Sequence, residues 1–120
     1  MKQYSLIELC DQIDEVLSVE LAESYWVRAE IASLTERGHC YMELVEKARN
    51  NSIAAKVRAT CWSHVYHLLA AYFANETGQA LSVGMQVLLP VEVRFHAVYG
   101  LSPNVLGIDP TFTLGDMARQ

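Results

Sequence analysis

Hydrophobic and polar positions alternate with period two between residues 53 and 62. In an extended strand Ile53, Ala55, Val57, Ala59 and Cys61 then form one row, and Ala54, Lys56, Arg58, Thr60 and Trp62 the other. The first row suits a core; the second sets two cations and an aromatic plane on an outer face. The same period appears earlier, where Val27, Ala29 and Ile31 alternate with Trp26, Arg28 and Glu30, predicting a strand over 25–34, and again over 40–45. Thr35 to His39 reads as a polar loop in which Gly38 permits positive φ, and Lys47 to Asn51 as a charged turn that returns the chain as a hairpin. Further on, Met85, Val87, Leu89, Val91, Val93 and Phe95 alternate with Gln86, Leu88, Pro90, Glu92, Arg94 and His96. This predicts a long strand in which Pro90, unable to donate to a ladder, belongs at an edge or a bulge. A turn at Val98-Tyr99-Gly100 leads into a last strand near 101–108, interrupted by Pro103.

The period becomes helical in two places. Ser5 and Glu8 have the spacing of a capping box, and Leu6, Leu9, Cys10, Ile13, Val16 and Leu17 recur on one side with Glu8, Asp11, Asp14 and Glu15 on the other. An amphipathic helix over about 6–20 with an acidic outer face follows. Val65, Leu68, Leu69, Tyr72 and Phe73 predict a second helix over 63–75, with Ser63 as N-cap and Gly78 as stop. Residues 111–120 read as the start of a linker or helix that the chain does not complete. The order is helix, three strands, helix, two strands. It is the layout of the OB-fold, a five-stranded Greek-key barrel whose second and third strands and flanking loops bind oligonucleotides. The expected fold is therefore mainly β with helices (α+β). One domain spans 1–110, its barrel spans about 25–109, and the first helix covers part of that barrel.

With 120 residues, 52% of them hydrophobic, the chain can build one core and not two. No stretch approaches the ~20 apolar residues of a membrane helix, and Met1-Lys-Gln-Tyr-Ser5 lacks the apolar run of a secretory signal. A cytoplasmic location with no membrane contact is expected. Cys10, Cys40 and Cys61 cannot all pair and are read as reduced and mostly buried. Cys61, His64 and His67 are residue types that ligate zinc, but they would straddle a strand end and a helix start with no second cysteine pair, so no metal or cofactor is expected.

Charge changes the picture through its distribution. The chain carries −5 overall, yet residues 1–24 alone carry Lys2 against Glu8, Asp11, Asp14, Glu15, Glu20 and Glu23, while residues 25–62 carry six cations against four acids. The acidity belongs to the first helix, and the strands are mildly basic; the local field of a contact face governs binding more than the sum does. Lys56, Arg58 and Arg28 are the candidate phosphate contacts. Trp62 and Tyr41 are candidates to stack on bases. His39 lies in a polar loop beside Arg37, and Arg94, His96 and Tyr99 surround the hairpin between the fourth and fifth strands; all five join the candidate interface. Tyr4, Trp26, Tyr66, Tyr72 and Phe73 fit packing roles. Glu30, Glu43 and Glu46 form no cluster of the kind that holds catalytic ions, so no catalysis is expected within these residues.

Taken in order, Val27-Arg-Ala-Glu30-Ile31-Ala32, Gly38-His39-Cys40-Tyr41-Met42-Glu43-Leu44, Ala59-Thr60-Cys61-Trp62, Gly84-Met-Gln-Val87 and Tyr99-Gly100 resemble the segments of the amino-terminal domain of exodeoxyribonuclease VII large subunits. The likeness runs from Tyr4 through Met117. It implies a noncatalytic OB-fold that binds single-stranded DNA and guides it to a nuclease site outside this fragment. It also implies a parent subunit that is a hydrolase, partnered by several copies of a small helical subunit and cleaving without an added divalent metal. Ala29 stands where the family has glycine, Ser63 where it often has a basic residue, and the inserted helix is longer and more apolar than usual. Two other readings remain open: a protein-interaction domain built on the two helices, and an RNA-binding domain of the anticodon-reading type, since nothing here reports on a 2′-hydroxyl.

Overall fold

A computed structural model describes residues 1–119, which form the elements α1 (Leu6–Glu20), β1 (Tyr25–Arg37), β2 (His39–Lys47), β3 (Ile53–Cys61), α2 (Ser63–Thr77), β4 (Gln86–Glu92), β5 (Phe95–His96), β6 (Gly100–Leu101), β7 (Asn104–Val105) and α3 (Pro110–Ala118). Five strands close a barrel in the order β1-β2-β3-β7-β4, and β5 and β6 pair only with each other. All neighbours are antiparallel except β3 and β7, which run parallel through Thr60 and Asn104. This is the expected OB-fold.

β1 makes closure possible because it serves two neighbours. Its first half pairs with β4 from Tyr25↔Val91 to Glu30↔Gln86, and its second half pairs with β2 from Glu30↔Val45 to Arg37↔His39. The register slips between Ile31 and Ser33, a bulge that bends the strand where it passes from one partner to the other. β1 and β2 meet at Gly38, whose φ of +72° is open to glycine, so the polar loop expected at 35–39 is instead strand on both sides of a tight turn. Ladder pairing across a two-strand face overrides the local polarity of Thr35, Glu36 and Arg37.

The inward rows meet expectation along most of their length. Ile31, Met42, Leu44, Ala59, Cys61, Val87, Leu89, Val91 and Val105 are buried in one cluster with Leu69 and Phe73 of α2. Ile53 and Ala55 are exposed, because the start of β3 runs past the barrel and has no core beneath it. α2 follows β3 directly and ends at Gly78, in the left-handed conformation with φ +73°. Its N-cap is Trp62 and not Ser63, and no side chain of its own caps it; the Ser63 amide instead donates to His39 Nδ1 at 2.9 Å.

The long strand expected over 85–96 breaks after Glu92, and the last strand shrinks to β7. Pro90 lies within the closed barrel, paired with Trp26 on one side, and its carbonyl accepts from Leu106 N at 2.8 Å on the other. Carbonyl and nitrogen of one strand residue face the same neighbour, so the missing donor points at the short strand β7, where the ladder is ending anyway. α3 begins at Pro110 with Asp109 as N-cap and packs on β4, where Thr113 Oγ1, almost fully buried, donates to the Gln86 carbonyl at 2.8 Å.

α1 departs from expectation in its position. The capping box forms, with Glu8 N donating to Ser5 Oγ and Ser5 N to Glu8 Oε1, both at 3.1 Å. The helix then packs chiefly on β5 and leaves the barrel uncovered; Cys10 is its one buried residue, while Leu6, Ile7, Leu9, Val16 and Val19 are exposed. Among the expected packing aromatics, Phe73 is fully buried and Tyr66 is packed against the core, whereas Trp26 is 60% exposed and Tyr4 and Tyr72 are each about half exposed. No helix among the described residues is long and apolar enough to cross a membrane.

Candidate functional site

The outward rows of β1, β2 and β3 form one face because the ladders hold them in register. Tyr41 on the middle strand lies opposite Thr35 of β1 and Thr60 of β3, so Arg37 and Arg58, two residues along each outer strand, occupy its diagonals. The β5–β6 hairpin rises at the side of this face. Between them lies a groove of about 430 Å³ lined by Thr35, Arg37, Tyr41, Arg58, Thr60, Tyr99, Leu101 and Ser102. Its walls combine two guanidinium groups, two phenol rings, three hydroxyls and one apolar side chain.

The remaining cations differ in whether they are already occupied. Lys56 Nζ lies 3.6 Å from Glu43 Oε1, Lys47 Nζ lies 3.3 Å from Glu30 Oε2, and Arg94 is bound to Asp14 and Glu92. Among the described residues, Arg28, Arg37 and Arg58 make no ion pair. A free guanidinium can bind a phosphate without first giving up a carboxylate. Glu43 sits opposite Arg58 in the ladder yet turns to Lys56, which leaves the Arg58 head available at the groove.

Of the residues singled out from sequence, the structure gathers Arg37, Tyr41, Arg58 and Tyr99 in the groove, sets Trp62, His39, Lys56 and His96 beside it, and places Arg28 and Arg94 elsewhere. Trp62 continues the outer row of β3 beyond Thr60 and is 47% exposed, with its ring 6.2 Å from that of His64. His39 extends the row of Tyr41, and its Nδ1 is committed to the amino end of α2. Lys56 lies on the far side of Arg58 from Thr60, tied to Glu43. Arg28 pairs with Leu88 across the β1–β4 ladder, about 30 Å of strand away from Arg37. His96 shapes the hairpin: its Nδ1 accepts from the amides of Val98 at 3.0 Å and Tyr99 at 3.4 Å, and its ring lies 4.8 Å from that of Tyr99. Thr35, Thr60, Leu101 and Ser102 were not singled out from sequence; Thr60 belongs to the outer row that the period-two pattern defines, and it could have been found there.

Arg94 faces α1. Its Nη2 donates to Asp14 Oδ2 at 2.8 Å and its Nε to Asp14 Oδ1 at 3.0 Å, and the Phe95 amide donates to the same Oδ1 at 2.9 Å. The Arg94 guanidinium first, and the Phe95 amide second, hold the Asp14 carboxyl down to about 2. A carboxyl whose folded value lies below its unfolded value of about 3.9 contributes stability above that pH and loses the contribution as pH falls through the folded value. The Phe95 amide proton should therefore shift with a midpoint of about 2 in an NMR titration; a midpoint near the ordinary aspartate value would show that the tie is not formed in solution.

The residues of the Cys61, His64, His67 spacing diverge. Cys61 points into the core beside its ladder partner Cys40, and burial pushes the Cys61 thiol up to about 12 and the Cys40 thiol up to about 11. His67 Nε2 is instead 2.9 Å from Glu36 Oε2 on the surface. No group of three or more His, Cys, Asp or Glu among the described residues is placed to hold a metal ion.

Comparison with known proteins agrees with the fold. The exodeoxyribonuclease 7 large subunit of Deinococcus radiodurans is 44% identical over 118 residues, an alignment that covers 94% of this chain and 28% of that relative. The chain thus spans little more than a quarter of the length of the relative it matches. Residues 4–109, which run from just before α1 to the N-cap of α3, match the family model described as OB-fold nucleic acid binding domain, and the chain belongs to that family.

Proposed function

We propose that this chain is the single-strand DNA-binding domain of an exodeoxyribonuclease VII large subunit, and that it guides substrate to a nuclease site carried by sequence outside it. The observation that supports this most directly is the groove, in which Tyr41 lies between two unpaired arginines on an open sheet face, with Tyr99 lining the hairpin side. Phosphates of an unpaired strand would track Arg37 and Arg58 while bases stack on Tyr41 and Tyr99, with Trp62 extending the path along β3. Such contacts read backbone and ring faces and not base edges, so little sequence preference is expected. The small helical subunit is a partner of the full-length protein in this reading, and the setting is the cytoplasm.

Fluorescence anisotropy with single-stranded DNA, duplex DNA and single-stranded RNA, at low and moderate salt, tests the assignment. Single-stranded DNA should bind best. Changing Arg37 and Arg58 together to Ala should weaken it and reduce the slope of log affinity against log salt by about 1.4, the value for two phosphate contacts on a single strand. Lys56→Ala, which removes a cation already paired with Glu43, should change the slope less. Preference for RNA would replace the DNA reading. Absence of binding to every oligonucleotide at low salt would favour assembly, a role to which the exposed Leu6, Ile7, Val16 and Val19 of α1 are suited.

A further inference from the structure

We infer that Asp14 of α1 is a positioning residue for the groove, holding the β5–β6 hairpin so that Tyr99, Leu101 and Ser102 face the β1–β2–β3 wall. The inference rests on the reading of that groove as the nucleic-acid site. β5 and β6 are two residues each and pair only with one another, so the barrel's ladders do not fix the hairpin's angle. What ties its base to α1 is one carboxylate: Asp14 accepts from Arg94 Nε, Arg94 Nη2 and the Phe95 amide. From there the Arg94 carbonyl accepts from Ser102 N at 2.9 Å, so the same residue joins α1 to a groove-lining residue just past β6. α1 in turn packs chiefly against β5, which gives the helix a strut's place in the fold.

Two roles for Arg94 make opposite predictions. As a phosphate contact, Arg94 would be held back by Asp14, and removing the acid would free a cation and tighten binding. As half of a latch, Arg94 needs the acid, and removing it would let the hairpin swing and weaken binding through lost preorganisation. The geometry points to the latch, because both carboxylate oxygens are engaged and Arg94 does not line the groove.

Asp14→Asn keeps the shape and removes the charge. Its affinity for single-stranded DNA should fall about two- to fivefold, the population change expected from loss of one partly exposed charged tie. The salt slope should stay unchanged, since no phosphate contact is lost. Hydrogen exchange at Phe95 and Ser102 should accelerate, and Asp14→Asn combined with Arg94→Gln should bind no more weakly than the worse single variant. Arg94→Lys, which retains charge but cannot make the two-pronged bond, should fall between. Tighter or unchanged binding by folded Asp14→Asn would overturn the inference, as would unchanged exchange at Phe95. If the parent chain binds no oligonucleotide while the variant still loosens those amides, the latch exists but its role in binding is refuted, which separates failure of this inference from failure of the groove reading.

Discussion

Phe73→Ala should lower the folding free energy by about 3–5 kcal/mol, the cost of replacing a fully buried aromatic ring with a cavity. Phe73 is 0% exposed and joins α2 to the same cluster as Ile31, Met42, Leu89 and Val105. A loss of that size is a large share of the roughly 5–15 kcal/mol that holds a typical domain together. Urea unfolding followed by circular dichroism reads it as a lower midpoint at unchanged slope. Tyr72→Ala, one residue away and 51% exposed, is the control and should cost far less. Similar losses for the two would show that α2 does not insert its buried face into the barrel.

Tyr41→Ala should weaken binding of single-stranded DNA by about 5- to 150-fold, the range that corresponds to loss of one base stack. The residue stands at the centre of the groove between Thr35 and Thr60, on the outward face, so truncation leaves the core row of Met42 and Cys40 untouched. The salt slope separates this effect from that of the arginines: removal of an uncharged ring lowers affinity at every salt concentration without changing the slope. Tyr41→Phe should bind almost as the parent does, because the ring is retained and the hydroxyl makes no hydrogen bond among the described residues. Full affinity in a folded Tyr41→Ala would remove the stacking role and leave a purely electrostatic groove.

The two experiments address separate surfaces of the same strands. Alternation along β2 sends Cys40, Met42 and Leu44 inward and His39, Tyr41 and Glu43 outward, so stability and binding reside on opposite sides of one backbone. Arg58 and Ala59 divide β3 in the same way. Substitutions on the outer row can thus probe the groove in a domain that remains folded.

Period and punctuation in the sequence determined much of this. The two-residue rhythm of Val27 to Ile31, Cys40 to Leu44, Val57 to Cys61 and Val87 to Val91 encodes which side of each strand can leave water. Ser5 and Glu8 encode where α1 starts, because those preferences act within a few residues of chain. The element order then admits the OB-fold. What only the tertiary structure decided is which outward groups meet. Glu43 neutralises Lys56 and leaves Arg58 free, Asp14 captures Arg94 from 80 residues away, and Tyr99 to Ser102 come to face Arg37, Tyr41 and Arg58 across the groove. Local periodicity assigns a side chain to a face; its partner on that face depends on how the barrel closes and where the bulge at Ile31 to Ser33 bends β1, and those are properties of the whole set of ladders.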